Sequence, residues 1–150
     1  MGDGYMLCDT LIDDRKTSPP RVLCIDDDPE ISRIIQLRLS GFNTHVDRAF
    51  HGMQGHWLAI KDKPDVIIMD LGMPRGDGEY VLECLQRNEE TQDIPVIVLS
   101  GRSGDDLPNR LMALGASGFL RKPCRFDELF SELSRFIELK EDNEGAYEPQ

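Results

Sequence analysis

The chain alternates short apolar runs with stretches of helical apolar spacing, and this alternation repeats five times. The predicted strands are 21–26, 44–47, 66–70, 96–100 and 118–121. Each strand is followed by a stretch long enough for a helix, and this order favours a parallel sheet with helices on both faces. The sequence therefore predicts an α/β fold in which all five strands run in the same direction.

The predicted helices are read from apolar residues at i, i+3 and i+4 and from residues that start or stop a helix. Asp28 and Pro29 suit the start of the first helix, and Gly41 its end. The others are predicted over 52–61 with Trp57 as a candidate core residue, from near Asp77, over 107–115 and over about 125–140. The expected inward faces are Ile31, Ile34, Ile35 and Leu39; Tyr80, Val81, Cys84 and Leu85; and Phe126, Leu129, Phe130, Leu133, Phe136 and Ile137.

The length and composition indicate one globular domain. The chain has 150 residues, of which 39% are hydrophobic and 30% charged, and this is enough to bury a full core. We expect a domain over 21–140, a flexible tail over 1–20 and an acidic tail over 141–150. Internal repeats and a second domain are not indicated.

Charge and hydropathy exclude several function classes. The net charge of −11 argues against direct binding to nucleic acid, which needs clustered lysine and arginine. The sequence lacks an apolar run of the roughly 20 residues that a membrane span needs, and a signal-peptide pattern, so we expect a cytoplasmic protein without membrane insertion. The four cysteines lack zinc-site spacing and are interpreted as reduced and structural.

Polar residues end four of the five predicted strands. Asp26 and Asp27 end the first strand, Asp70 the third and Ser100 the fourth, and Lys122 follows the fifth. Because the carboxyl ends of parallel strands share one edge, these side chains should lie together where such sheets bind ligands. Gathered carboxylates repel one another, so either some of them stay protonated or a hard divalent cation neutralises them. The sequence favours the second alternative, Mg²⁺ beside a reactive aspartate.

The order of these motifs resembles the receiver domain of two-component response regulators. The resemblance covers roughly residues 20–140. It rests on the segments Ile25-Asp26-Asp27-Asp28-Pro29, Asp70-Leu71-Gly72-Met73-Pro74 with Gly76-Asp77-Gly78, Val98-Leu99-Ser100-Gly101, and Phe119-Leu120-Arg121-Lys122-Pro123. It implies a flavodoxin-like, doubly wound (βα)5 three-layer sandwich with strand order 2-1-3-4-5 and its site at the carboxyl edge.

The resemblance also implies a role for each site residue. Asp70 would accept a phosphoryl group from a phosphohistidine on a sensor histidine kinase or a histidine phosphotransfer protein. Mg²⁺ would be bound by Asp27, Asp70 and the backbone carbonyl of Gly72, and by Asp26 largely through water. Lys122 and Ser100 would contact the phosphoryl oxygens.

The same resemblance implies a route for the signal and one backbone feature. Ser100 and Phe119 would relay phosphorylation to a partner surface, and the downstream effector is not indicated by the sequence. The peptide bond before Pro123 is expected to be cis. The protein is expected to act as a switch rather than as a turnover enzyme.

Two other functions and one question of organisation stay open at this point. An interaction scaffold would keep the fold without accepting phosphate. A Mg²⁺-dependent aspartyl phosphatase of the haloacid dehalogenase type would need a second aspartate two residues after Asp70, where Gly72 stands. The sequence is compatible with a free-standing protein and with a receiver portion of a longer regulator.

Overall fold

The computed structural model describes residues 18–73, 78–101 and 107–142. The tail over 1–17, the expected start of the third helix near Asp77, the motif residues Pro74, Gly76 and Asp77, and the tail over 143–150 lie outside these residues. Five strands form one parallel sheet in the order β2-β1-β3-β4-β5. The strands are β1 Arg21–Ile25, β2 His45–Ala49, β3 Val66–Asp70, β4 Val96–Ser100 and β5 Gly118–Arg121. This is the predicted flavodoxin-like topology.

The two inner strands β3 and β4 are buried along their whole length. Their side chains alternate between the two faces of the sheet and contribute to two separate apolar clusters. One cluster includes Leu23, Ile67, Met69 and Val98, and the other includes Val22, Ile68, Ile97 and Leu99. Since both clusters need a covering layer, the sheet is enclosed by helices on both sides.

Five helices follow the five strands. They are α1 Pro29–Leu39, α2 Gly52–Asp62, α3 Gly78–Arg87, α4 Leu107–Ala113 and α5 Phe126–Leu133. The α1 helix begins as predicted, with the Asp28 side chain accepting the amide of Glu30 and with Pro29 in the first turn. Packing places α1 and α5 over the cluster that contains Ile35 and Leu129, and α3 and α4 over the cluster that contains Val81 and Leu111.

Three residues expected in the core are exposed instead. Ile34 and Tyr80 are each 56% exposed, and Trp57 is 57% exposed. The rest of the prediction holds in part: Ile35 and Leu39 of α1 and Val81 and Leu85 of α3 are buried as predicted. The buried residues of α2 are Gly52, Gly55 and Ala59. The small residues of α2 let that helix approach the sheet closely, so its large tryptophan points outward.

The last helix is shorter than predicted and ends at Leu133 rather than near Lys140. The hydroxyl of Ser134 donates to the carbonyl of Phe130, and the amides of Arg135 and Phe136 then bond three residues back. These tighter turns replace the α-helical pattern while Ile137 stays buried on the same side. Among the residues that the structure describes, none of the helices is both long and apolar enough to span a membrane.

Candidate functional site

The parallel sheet brings the predicted site residues to one edge. Asp26 and Asp27 directly follow β1, Asp70 and Ser100 end β3 and β4, and Lys122 directly follows β5. Carboxylate oxygens of Asp26, Asp27 and Asp70 lie within 4.8 Å of one another. Residues separated by more than 40 positions in the sequence thus form a compact acidic cluster.

Lys122 supplies the positive charge inside this cluster. Its Nζ lies 3.0 Å from Oδ1 of Asp70 and 3.5 Å from Oδ2 of Asp26. Asp26 is 2% exposed and Asp70 is 8% exposed, whereas Asp27 is open to solvent. One ammonium therefore compensates two buried carboxylates, and the third carboxylate faces the opening of the site.

The electrostatics of the site reflect burial as well as pairing. Burial raises the pKa of Asp26, although the amide of Asp28 and the Lys122 ammonium both favour the charged carboxylate. Burial alone would lower the pKa of Lys122. Its hydrogen bond to Asp70 and the charge of Asp26 outweigh that effect, and the pKa of Lys122 is raised. The ammonium is therefore charged throughout the neutral range.

Backbone groups orient the two buried carboxylates. The amide of Asp28 donates to Oδ1 of Asp26 at 2.9 Å, and the amide of Gly72 donates to Oδ1 of Asp70 at 3.3 Å. A Cβ atom on Gly72 would come within 3.8 Å of Asp70. The glycine therefore leaves the approach to Asp70 clear on that side.

The strands β4 and β5 hold the remaining predicted residues. Ser100 is 1% exposed, and its carbonyl accepts the amide of Lys122 at 2.8 Å. The Lys122–Pro123 peptide bond is cis. Phe119 is half-buried and packs against the apolar cluster beneath α3 and α4. The predicted set is thus gathered from β1, β3, β4 and β5.

One contact at this end of the sheet was not predicted from the sequence. The guanidinium carbon of Arg121 lies 5.4 Å from the centroid of the Phe119 ring. Residues at i and i+2 of a strand share a face, so this spacing could have indicated the contact. The arginine therefore covers part of the ring that the resemblance assigns to the switch.

The donor set of the cluster fits a hard divalent cation. Three carboxylates that meet at an edge of the sheet are the oxygen ligands that Mg²⁺ prefers, and Asp27 is accessible from solvent. The carbonyl of Gly72 lies two residues after Asp70 in an exposed position. The acidic cluster could therefore hold a metal ion.

Known proteins share both the sequence and the fold of this chain. The family model of the response regulator receiver domain matches residues 22–134. The DNA-binding dual master transcriptional regulator RpaA of Synechocystis sp. is 37% identical over 120 residues, covering 79% of this chain and 49% of RpaA. The chain spans about half the length of this relative and of other curated relatives such as MprA and PrrA.

Solved structures give the same assignment. The receiver domain of Francisella response regulator 1452 has a TM-score of 0.72 at 29% identity, covering 78% of this chain and 95% of that one. Chemotaxis response regulator CheY4 of Vibrio cholerae has a TM-score of 0.73 at 26% identity, covering 79% and 99%. The chain belongs to the response regulator receiver domain family, the phosphoacceptor switches of two-component signalling.

Proposed function

We propose that Asp70 is the phosphoacceptor of this receiver domain and that residues 21–140 form the functional unit. The donor would be a phosphohistidine on a sensor histidine kinase or on a histidine phosphotransfer protein. The observation that carries the proposal is the contact of 3.0 Å between Asp70 Oδ1 and Lys122 Nζ at the edge of the sheet. A nucleophilic carboxylate and an ammonium for the phosphoryl oxygens thus stand side by side.

The transfer needs little proton chemistry. An oxygen of the Asp70 carboxylate attacks phosphorus, the bond between phosphorus and the imidazole nitrogen breaks, and its electron pair stays on the imidazole. The product is an acyl phosphate. Because the transition state is loose, negative charge lies on the oxygens of the transferring phosphoryl group, and catalysis mainly requires groups that stabilise this charge.

Lys122 and Ser100 stabilise that charge in this proposal. Lys122 exchanges its contact with the Asp70 carboxylate for a contact with a phosphoryl oxygen, and Ser100 donates its hydroxyl to another. Asp27, Asp70 and the Gly72 carbonyl would hold Mg²⁺ directly, and Asp26 would hold it through water. The bound ion would neutralise further charge on the phosphoryl oxygens.

The output of the switch would pass through β4 and β5. A phosphoryl group on Asp70 offers new acceptor oxygens to Ser100 and so draws its hydroxyl toward the site. Phe119 sits on the neighbouring strand and would move into the space that Ser100 leaves. This movement would change the surface around Arg121, which contacts the ring of Phe119 in the present structure.

Acetyl phosphate with Mg²⁺ provides a direct test by intact-mass spectrometry. We expect the wild-type protein to gain one phosphoryl group and Asp70→Asn to gain none. Asp93→Asn is the matched control, because Asp93 is an exposed aspartate between α3 and β4, and it should behave as wild type. Phosphorylation of Asp70→Asn at the wild-type rate, or an unmodified wild-type protein, would exclude Asp70 as the acceptor.

A further inference from the structure

Arg48 of the edge strand β2 reaches across to the first turn of α1. Its Nε donates to the hydroxyl of Ser32 at 2.9 Å, and its Nη2 donates to the carbonyl of Pro29 at 2.8 Å. Ser32 is completely buried, and its hydroxyl also donates to the carbonyl of Pro29 at 3.3 Å. One guanidinium therefore binds two groups of the same helical turn, which its planar fork of N–H donors suits better than a single ammonium would.

The guanidinium of Arg48 is itself held in place. Its Cζ lies 5.1 Å from the centroid of the Phe50 ring, the distance of a cation–π contact. The whole side chain is half-buried. Its bonding partners are thus a carbonyl, a hydroxyl and an aromatic ring, and together they restrict a side chain that is flexible when free.

The turn that Arg48 binds directly follows the acidic loop of the site. At the start of this loop, the amide of Asp26 donates to the carbonyl of Ala49 at 3.0 Å. The amide of Asp28 then donates back to Oδ1 of Asp26 at 2.9 Å. Asp27 lies between these two and is exposed. The acidic loop is therefore anchored to β2 on both sides, by Ala49 before Asp27 and by Arg48 after it.

We propose that Arg48 is a positioning residue for the Mg²⁺ site, because it fixes the first turn of α1 and thereby the direction of the Asp27 carboxylate. Mg²⁺ requires near-ideal octahedral geometry, so a displaced ligand lowers its affinity. Since Asp27 is exposed, its orientation depends on the backbone that carries it. The inference rests on the proposed role of Asp27 as a Mg²⁺ ligand, and Arg48 acts on that ligand only through the backbone.

Arg48 has two effects on the affinity for Mg²⁺, and they have opposite signs. The guanidinium repels a cation bound nearby, so loss of its charge alone would tighten Mg²⁺ binding. Loss of its hydrogen bonds frees the acidic loop and weakens binding. We expect the second effect to be larger, because solvent at the edge of the sheet screens the charge whereas the hydrogen bonds act directly on the loop. The direction in which the Kd changes therefore separates positioning from charge.

Isothermal titration calorimetry with MgCl₂ on the 150-residue protein measures this Kd. Arg48→Met keeps a long side chain but removes the guanidinium. We expect it to bind Mg²⁺ about tenfold more weakly than wild type, the lower end of the usual loss when a residue that orients a metal ligand is replaced. Arg33→Met is the matched control, because it removes an equal charge from an exposed position on α1, and it should bind like wild type.

Arg48→Lys keeps the charge but replaces the fork by one ammonium, so its Kd should lie between those of wild type and Arg48→Met. It takes the place of Arg48→Met if that protein does not fold. A lower global stability alone would not change the Kd of the folded protein, so the titration separates positioning from a merely structural role.

Hydrogen exchange of the Mg²⁺-free protein, followed by NMR, gives a readout that is independent of the ion. The amides of Asp28 and Glu30 are hydrogen-bonded to carboxylates of the acidic loop. We expect both to exchange faster in Arg48→Met than in wild type or Arg33→Met. Amides of β4 are the reference, because a general loss of stability would accelerate them as well.

A Kd for Mg²⁺ in Arg48→Met that equals or falls below the wild-type value would overturn this inference alone. Acceleration of exchange that is equal in the acidic loop and in β4 would also overturn it, because the role of Arg48 would then be structural. Wild-type protein that does not bind Mg²⁺ would overturn the proposed metal site together with the inference.

Discussion

At the scale of single residues, Lys122 controls the charge balance of the site. Its ammonium contacts Asp70 and Asp26, and both carboxylates are buried. Removal of this charge leaves two buried carboxylates beside the exposed Asp27, and mutual repulsion then opposes any further negative charge at the same place. We therefore expect the lysine to matter both for the resting site and for the proposed transfer of a phosphoryl group.

Replacement of Lys122 by glutamine keeps a hydrogen-bond donor but removes the charge. We expect Lys122→Gln to slow phosphorylation by acetyl phosphate about 10²–10³-fold, the usual loss when one transition-state donor is removed. Lys140→Gln is the control, because Lys140 is exposed and pairs only at the surface with Glu138. Rates measured by intact mass that are equal for the two variants would contradict this role.

Cys24 gives a prediction about stability at alkaline pH. Burial raises the pKa of this thiol from 9.0 to about 12, with a further contribution from Asp26. The unfolded chain loses the thiol proton above pH 9 while the folded chain keeps it, so the stabilisation is complete below pH 9 and is lost as the pH rises toward 12. At pH 10 the loss should be about 1–2 kcal/mol.

Urea unfolding at pH 8 and pH 10 tests this prediction. Cys24→Val removes the thiol but keeps an apolar side chain in β1, so its free energy of unfolding should fall less between these two pH values than that of wild type. The difference between the two proteins should be about 1–2 kcal/mol. Identical pH dependence would show that the thiol does not titrate differently in the folded and unfolded states.

At the scale of helices and strands, the pattern of apolar residues predicted the bounds of those elements that are buried along their whole length. The strands β3 and β4 have the predicted bounds because their continuous valine, isoleucine and leucine runs are buried on both faces. The predicted end of α5, near residue 140, was wrong. The hydrogen bond from the Ser134 hydroxyl to the Phe130 carbonyl depends on local geometry, which the spacing of apolar residues does not encode.

The site was predictable for a different reason. Parallel direction alone brings the ends of β1, β3, β4 and β5 to one edge, so the cluster of Asp26, Asp70 and Lys122 follows from topology. Topology does not explain why Asp26 is buried and Asp27 is exposed, although the two residues are adjacent in sequence. The apolar groove between α1 and α5, lined by Ile34, Leu99 and Phe126, was also not predictable, because it depends on how two helices distant in sequence pack side by side.

The start of α3 is tightly packed against the segment after Asp70. A Cβ atom on Gly78 would lie 2.7 Å from the Cα and the carbonyl oxygen of Leu71. Backbone atoms cannot move aside as a flexible side chain can. We therefore expect Gly78→Ala to lower the free energy of unfolding by about 1–3 kcal/mol and to slow phosphorylation of the neighbouring Asp70.

Gly41→Ala is the matched control for that substitution. A Cβ atom at Gly41 would meet nothing within 4 Å. Its free energy of unfolding should stay within about 0.5 kcal/mol of wild type. Urea unfolding measures the free energy of unfolding of each variant, and the acetyl phosphate assay measures its rate of phosphorylation. A Gly78→Ala protein as stable and as reactive as Gly41→Ala would show that α3 can shift without disturbing the site.

At the scale of the whole molecule, the fold concentrates negative charge that the chain already has in excess. The net charge is −11, and three carboxylates meet at one edge of the sheet with one lysine among them. In the unfolded chain Asp70 is far from Asp26 and Asp27. A divalent cation that binds the assembled cluster therefore stabilises the folded state selectively, since the unfolded chain offers no equivalent site.

Thermal or urea unfolding in MgCl₂ and in NaCl of equal ionic strength separates binding from general screening. We expect Mg²⁺ at a hundredfold excess over its Kd to raise the free energy of unfolding by about 2.7 kcal/mol. Asp27→Asn should remove most of this gain, because Asp27 is an exposed member of the cluster whose change leaves the core intact, whereas Asp93→Asn should retain it. Equal stabilisation by the two salts, or a full Mg²⁺ effect in Asp27→Asn, would mean that the acidic cluster is not the site of the ion.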